Sequence, residues 1–311
     1  MKTPEGKERE ITLVQSALTD DFGIRAENVA RISEKGDNSE AFSADYNGQR
    51  IIIKTIDTVD NDYGMYPVET TSLELLRKHG IPVATPLGYR EKAKYLEQPM
   101  IVQTAVSGIP LYRSERARDP KLYTAIGEML NKIHQIKLEG FGKLEVKDGK
   151  LRGQSSSWKQ SLLDYNPNGV SYTDVAYLMD HGFIDAGEAR KIENAFTQVL
   201  EVDLPQASFL HNDIQSTHIF TDGEKITGLI DMGGASAGDP RFDLAKTRFY
   251  FPKELWPAFA QGYGELAQDP LVDKYLLLAT ARKVIYRHKK NFPERIPEAL
   301  EALKQSLAET K

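Results

Sequence analysis

There is no cysteine among the 311 residues, which excludes disulfides and any thiolate metal site. No apolar run reaches the roughly 20 residues that a membrane-spanning helix needs. There is no long basic run either. With a net charge of −5, binding to nucleic acid through a broad electrostatic surface is disfavoured. The opening stretch, MKTPEGKERE, lacks the apolar segment of a secretory signal, and together with the missing cysteine this points to the cytoplasm. What is present is ordinary for a globular chain: 40% hydrophobic and 27% charged residues, with length for one large domain or two modest lobes. The charge is uneven. Residues 1–105 carry 13 Lys and Arg against 17 Asp and Glu, and residues 106–311 carry 27 against 28.

The first third reads as a helix followed by strands. EREITLVQSALTDDFG has helical apolar spacing and stops at Gly23. AFSADY and IIIKTI flank Asn47-Gly48, a strong hairpin signal. VETTSLELLRKHG reads as a helix ending at Gly80, and VATPLGYR and PMIVQTAV read as two more strands. SGIP at 107–110 breaks the pattern and marks the expected boundary between a lobe over 1–106 and one over 107–311. Beyond it the chain is mostly helical. DPKLYTAIGEMLNKIHQI is an amphipathic helix, and helical patterns recur at about 171–200, 241–266, 270–290 and 296–309. Residues 140–170 read as a long excursion rich in Gly, Ser and Asn. HIFTD and KITGLIDM are short strands joined by a turn at Gly223.

Chemistry concentrates around that turn. Asp213 and His218 lie at the two ends of a short loop within FLHNDIQSTHIF, and Asp231 ends the strand that follows. A loop–strand–turn–strand unit of this length returns Asp231 towards the loop, so two carboxylates and an imidazole are expected to converge. Such oxygens suit a hard cation such as Mg²⁺, which keeps waters and phosphate oxygens as its other ligands. Phosphoryl transfer needs one carboxylate to orient or deprotonate a hydroxyl and others to place a metal against the phosphates. The kinase pattern H-x-D-x4-N followed by D-x-G corresponds here to His211, Asp213, His218 and Asp231-Met232-Gly233. The run then continues through Gly238-Asp239-Pro240 and Asp243-Leu244-Ala245.

These motifs resemble the aminoglycoside phosphotransferase and choline kinase-like family, whose pattern is close to HGDLHPGNIL followed by GVIDWGDAGIGDPAYDLA. The likeness extends along most of the chain, through GDNSEAFSADYNGQRIIIK, ETTSLELLRKHGIPVATPLGY, IVQTAVSGIPL and MLNKIHQI. It implies an α+β, protein-kinase-like two-lobe fold, with an antiparallel sheet and helix in the N-terminal lobe and a mainly helical C-terminal lobe. It also implies the roles. Asp213 would be the catalytic base or hydroxyl-orienting group, and Asp231 the main metal ligand. Lys54 would hold the α and β phosphates and pair with Glu69. Ser39 would lie in the loop over the phosphates, and the backbone of Gln103, Thr104 and Ala105 would receive the adenine edge. Asp243 would brace the catalytic loop, with His211 structural. The implied cofactors are ATP or GTP with Mg²⁺ or Mn²⁺. The implied partner is a small-molecule hydroxyl substrate, either an antibiotic (aminoglycoside or macrolide) or a metabolite (sugar or amino alcohol), with neither nucleic acid nor membrane.

His218 departs from the commoner family pattern, which has Asn there. The macrolide phosphotransferases of the family also carry His. Imidazole is a softer ligand that suits Zn or Mn better than Mg and titrates near neutral pH. The departure leaves open an inactive kinase-fold protein that binds nucleotide and regulates. A protein kinase is disfavoured, because the chain passes quickly from Asp231 to GDPRFDLAK with no Ala-Pro-Glu segment.

Each residue also has a plainer reading. Asp213 alone suits a turn. Lys54 alone suits an edge strand guarded against aggregation. Glu74 rivals Glu69 but reads as a solvated helix face. His79, His134, His181 and His288 read as hydrogen-bonded core rings, EKAKYLE and RHKK as solvated surface, and Trp158 and Tyr165 as either packing or sugar-stacking groups.

Overall fold

The computed structural model describes residues 4–32, 40–55, 65–165, 170–172 and 174–310. Ser39 and the loop around it lie outside them. In chain order the elements begin with helix α1 (Pro4–Phe22) and strands β1 (Glu27–Arg31), β2 (Glu40–Tyr46) and β3 (Gln49–Thr55). Helix α2 (Met65–Lys78) leads to β4 (Pro86–Arg90), β5 (Met100–Thr104) and β6 (Ile109–Pro110). Helix α3 (Pro120–His134) precedes β7 (Lys137–Leu138), β8 (Phe141–Lys147) and β9 (Lys150–Ser155), then α4 (Trp158–Leu163), α5 (Val175–Asp180) and α6 (Ala186–Leu200). The last strands are β10 (Ala207–Leu210), β11 (Ile219–Thr221), β12 (Ile226–Leu229) and β13 (Ser236–Gly238). Helices α7 (Pro240–Tyr250), α8 (Trp256–Tyr263), α9 (Pro270–Lys289) and α10 (Ile296–Glu309) complete the chain. Among the described residues no helix is long and apolar enough to cross a membrane.

The chain forms two compact units. One comprises Met1–Gly108 with Thr227–Gly233, the other Ile109–Ile226 with Gly234–Lys311. The first unit therefore takes back a short stretch of the later chain, which ends near Asp231.

The first unit is built on an antiparallel five-stranded sheet in the order β1-β2-β3-β5-β4. Alternation sends Phe42, Ala44, Ile51, Ile53, Met100 and Val102 to one face, where Val14, Ala17 and Leu18 of α1 cover them. The opposite face carries Lys54, set in register with Ala41 and Ile101. Helix α2 buries Tyr66, Glu69, Leu73 and Leu76, a stripe at helical spacing. Glu69 thus occupies a position where an apolar residue is the default. Strand β3 lies inside the sheet, so Lys54 is not an edge guard.

The second unit is mostly helical and holds a second five-stranded sheet, ordered β7-β10-β13-β8-β9. This corrects the expectation of an irregular excursion at 140–170, because β8 and β9 form a hairpin closed between Lys147 and Lys150. Its turn is Asp148-Gly149, with φ of 51° and 71°, the left-handed pair that a two-residue hairpin requires. RHKK is not all surface either. Arg287 is buried and donates to the Arg295 carbonyl and to Glu298 Oε2, where the end of α9 meets the chain entering α10. His79 and His181 are exposed, each with Nδ1 against a backbone carbonyl one turn back, so neither is a core ring.

Helices α3 and α8 approach so closely that a Cβ on Gly262 would run into the Thr124 carbonyl oxygen, and one on Gly127 into that of Phe259. Backbone cannot yield as a flexible side chain can. We expect Gly262→Ala to destabilise the fold by about 3 kcal/mol, read as a lower urea midpoint with unchanged slope. An unchanged midpoint would show that the two helices separate without cost.

Candidate active site

In the first unit, Lys54 Nζ lies 2.7 Å from Glu69 Oε1 and 3.9 Å from Asp231 Oδ1. The Glu69 side chain is 2% exposed, so its charge is tolerated only because Lys54 answers it. Burial pushes the Glu69 carboxyl up, opposed by Lys54. Burial would also lower the Lys54 ammonium, but Glu69 and Asp231 outweigh it and hold the lysine protonated. Asp231 is delivered by the returning stretch. The Leu229 N–H donates to the Pro82 carbonyl at 2.8 Å, and Thr227 Oγ1 donates to the Ser107 carbonyl at 2.6 Å. Asp231 itself takes φ 70° and leaves its side chain 47% exposed, a strained backbone presenting an open carboxylate beside a lysine.

The Gln103–Ala105 run is partly committed to the fold. The Thr104 N–H donates to the Thr85 carbonyl at 2.9 Å and that of Ala105 to the Arg50 carbonyl at 2.8 Å. Both N–H groups are thus engaged within the sheet and its border. Gln103 is buried, and its Oε1 has no partner among the described residues.

In the second unit, buried strand β10 runs straight into His211. Asp243, fully buried in the first turn of α7, accepts the His211 N–H at 2.7 Å and the Asn212 N–H at 2.9 Å. Helix α7 is positioned in turn by Asp239, whose carboxylate caps it at Arg241 N, with Pro240 at its first position. His134 Nε2 also meets Asp243 at 3.1 Å, and His134 Nδ1 meets the Tyr263 hydroxyl at 2.7 Å. A carboxylate only accepts, so Nε2 carries a proton, and in the neutral ring Tyr263 would donate to Nδ1. Burial alone would raise the Asp243 carboxyl, but hydrogen bonds from His134 and the His211 backbone hold it below its usual value. Asn212 adopts φ 69° and is pinned by Nδ2 donating to Gly234 O at 2.9 Å and Ser236 Oγ at 2.7 Å.

This frame presents Asp213. Its N–H donates to His211 Nδ1 at 3.2 Å, and its Oδ2 accepts from Gln215 Nε2 at 3.0 Å. His218 Nδ1 lies 2.9 Å from the Asp213 carbonyl and 3.3 Å from its Oδ2. A carbonyl only accepts, so Nδ1 carries a proton, and in the neutral ring Nε2 carries the lone pair. The Tyr250 hydroxyl hydrogen-bonds the Asp213 carboxylate and accepts from Lys283 Nζ at 2.9 Å. Burial, then the Asp213 charge, pushes the Tyr250 phenol up and keeps it a donor.

Tyr250 and Lys283 were not picked out in the sequence. A signal existed: Asp243, Lys246 and Tyr250 recur at helical spacing, so an Asp that braces the loop places a Lys and a Tyr on the same face. Trp158 is packing, with Nε1 donating to the Tyr275 hydroxyl at 2.7 Å.

Residues 29–278 match the model of the phosphotransferase enzyme family. A hygromycin-B 4-O-kinase of Escherichia coli is 23% identical over 286 residues, which is 89% of this chain and 78% of that protein. A thermostable mutant of aminoglycoside phosphotransferase APH(4)-Ia, solved with AMP-PNP and hygromycin B, superposes with a TM-score of 0.73 at 19% identity, covering 95% of this chain and 98% of that one. The GDP complex of aminoglycoside 2'-phosphotransferase-IIIa gives 0.69 at 14% identity, covering 97% and 98%. A putative fructosamine-3-kinase from Haemophilus somnus gives 0.63 at 17%, covering 94% and 96%.

Proposed function

This chain belongs to the phosphotransferase enzyme family, and from that premise we propose that Asp213 deprotonates or orients an acceptor hydroxyl while Lys54, Asp231 and His218 hold a nucleoside triphosphate and its divalent cation. The protein is a small-molecule phosphotransferase with an alcohol acceptor. The finer assignment is carried by one observation: Asp213 is fixed by four separate groups yet keeps a side chain 33% exposed. Structural carboxylates held this firmly are normally buried, whereas one left open is available to a substrate.

Each unit supplies a donor of the kind that a hard or borderline divalent cation takes. Asp231 offers an exposed carboxylate, and His218 offers Nε2 because its Nδ1 proton is spent on a carbonyl. When bound, such a cation neutralises phosphate charge. Lys54 would steady the α and β phosphates, its ammonium kept charged by Glu69. Asp213 would accept the hydroxyl proton, with Tyr250 and Gln215 holding its carboxylate in position. The adenine or guanine edge would meet carbonyls of the Gln103–Ala105 run and donors beyond it. Ser39 would belong to the loop over the phosphates.

The expected test result is nucleotide binding in the presence of Mg²⁺ or Mn²⁺ by calorimetry, weakened about tenfold or more in Lys54→Met. No binding by the parent chain would sink this assignment. Replacing His218 by Asn should move the ratio of Mn²⁺- to Mg²⁺-supported turnover towards Mg²⁺, since an amide oxygen is the harder ligand. An unmoved ratio would remove His218 from the metal site. No observation favours the non-catalytic alternative, because Lys54, Glu69, Asp213 and Asp231 are all retained.

A further inference from the structure

Lys283 is a charged residue to which the proposed reaction gives no task. It sits half-buried on α9, inside the second unit, where α9 packs against α7. Its ammonium donates to the Tyr250 hydroxyl at 2.9 Å and lies over the rings of Phe249 and Tyr250, 5.5 and 5.1 Å from their centroids. The position is a costly one for a cation. Burial, then the like charge of Arg287, pulls the Lys283 ammonium down, and Lys246 and Arg282 act in the same sense. The charge that opposes them is that of Asp213. An apolar side chain of similar length would cover the two rings without that cost, so the ammonium itself calls for a reason.

The reason lies in how the groups are joined. Tyr250 closes α7, and its hydroxyl meets the Asp213 carboxylate as well as Lys283. A phenol has one proton to give, whereas an ammonium has donors alone and cannot take it. With Lys283 on its oxygen, the hydroxyl gives that proton to the Asp213 carboxylate, which only accepts. The hydrogen bonds then run in one direction, from Lys283 to Tyr250 to Asp213, and each polarises the next. The two ends of α7 share the loop. Asp243 in the first turn accepts the His211 and Asn212 N–H groups, and Tyr250 in the last turn holds the Asp213 side chain. The first contact fixes where the backbone lies, and the second fixes how the carboxylate is turned.

We propose that Lys283 is a positioning residue for phosphoryl transfer, which commits the single proton of Tyr250 to Asp213 and so sets the orientation of the acceptor-side carboxylate. The inference rests on the reading of Asp213 as the acceptor-side base. A lysine kept only to cover the rings with its stem would be replaceable by methionine. A lysine that recognised the acceptor directly would act whether or not the Tyr250 hydroxyl were there. The most damaging side chain at this position is one that offers an acceptor of its own, because it draws the phenol proton away from Asp213.

The test follows ATP consumption by the full chain with Mg²⁺ and, as acceptors, hygromycin B and glucose. Lys283→Gln, whose amide oxygen can accept from the phenol, should lower kcat about three- to tenfold and leave the KM for ATP where it was. Lys283→Met, which keeps the stem and drops the donor, should move kcat the same way and stands in should Lys283→Gln fail to fold. Lys283→Arg, again with donors alone, should recover most of the loss. In a Tyr250→Phe background Lys283→Gln should cost nothing further. A kcat unmoved in both Lys283→Gln and Lys283→Met, an equal loss in Lys283→Arg, or an equal further loss in the Tyr250→Phe background overturns the proposal. If neither acceptor is phosphorylated, the reading of Asp213 loses its support separately, and proton NMR still decides the bond without turnover. A low-field hydroxyl resonance, absent from Tyr250→Phe and moved in Asp213→Asn, should persist in Lys283→Arg and shift or vanish in Lys283→Gln. No such resonance in the parent, or one unaltered in both Lys283→Gln and Lys283→Met, overturns the proposal.

Discussion

Asp213→Asn is expected to lower kcat for phosphoryl transfer by about 10²–10⁴-fold, the range over which a positioned general base contributes. The amide has nearly the same shape and can still accept from Tyr250 and Gln215 through its oxygen. It cannot take a proton from a hydroxyl. The KM for ATP should therefore change little, because the groups assigned to the nucleotide are other residues. Steady-state kinetics alongside a denaturation curve matching the parent would check both halves. A variant that keeps kcat within about threefold would move the base elsewhere.

Asp243→Ala should have the largest effect on stability. One buried carboxylate accepts the backbone N–H groups of His211 and Asn212 and faces His134. Removing it orphans buried donors, each costing about 1–3 kcal/mol, so a total loss of roughly 3–5 kcal/mol follows. Asn212, held at φ 69°, would relax, and Asp213 beside it would lose its position. Urea unfolding measures the first effect. Hydrogen exchange at the His211 and Asn212 amides measures the second, with protection lost at both.

The acid limb follows from the same group. The Asp243 carboxyl is held below the ordinary 3.8 in the folded chain. A depressed folded value means that its contribution is complete above about 4 and is lost as pH falls through that value. Asp243→Asn should remove this part of the acid sensitivity. Unaltered acid unfolding in the variant would show that other carboxylates dominate.

Much of this was legible in the sequence because it is local. Asn47-Gly48 located the β2–β3 turn, and the apolar spacing around VETTSLELLRK set α2 so that Glu69 shares a stripe with Tyr66, Leu73 and Leu76. The resemblance of the run from His211 to Asp243 to the family pattern implied both ends of the brace, and α7 begins with the Asp239-Pro240 cap that this run contains. Asp148-Gly149 was an equally local signal. It was hidden by the polar composition of KDGKLRGQSSS, where strand alternation is carried by only a few apolar residues.

A small cavity in the second unit, lined by Lys246, Arg282 and Lys283 among others, was not legible, for a different reason. Lys246 lies on α7 and Arg282 and Lys283 on α9, and nothing in either segment says which faces of the two helices meet. Overall charge does not reveal it either. A lobe near neutrality in total holds three cations at one small cavity, a property of packing and not of composition. The committed N–H groups of Thr104 and Ala105 depend on where β4 and β3 begin, which sequence patterns place only to within a few residues.

The central claim is that this chain moves a γ-phosphate to a hydroxyl by way of Asp213. The most direct measurement follows γ-labelled ATP by phosphorus NMR in the presence of a panel of hydroxylated small molecules. The account predicts that the label appears as a phosphate ester with the parent chain and stays in ATP with Asp213→Asn. Label released only as inorganic phosphate, or transferred equally by the Asp213→Asn variant, would contradict it.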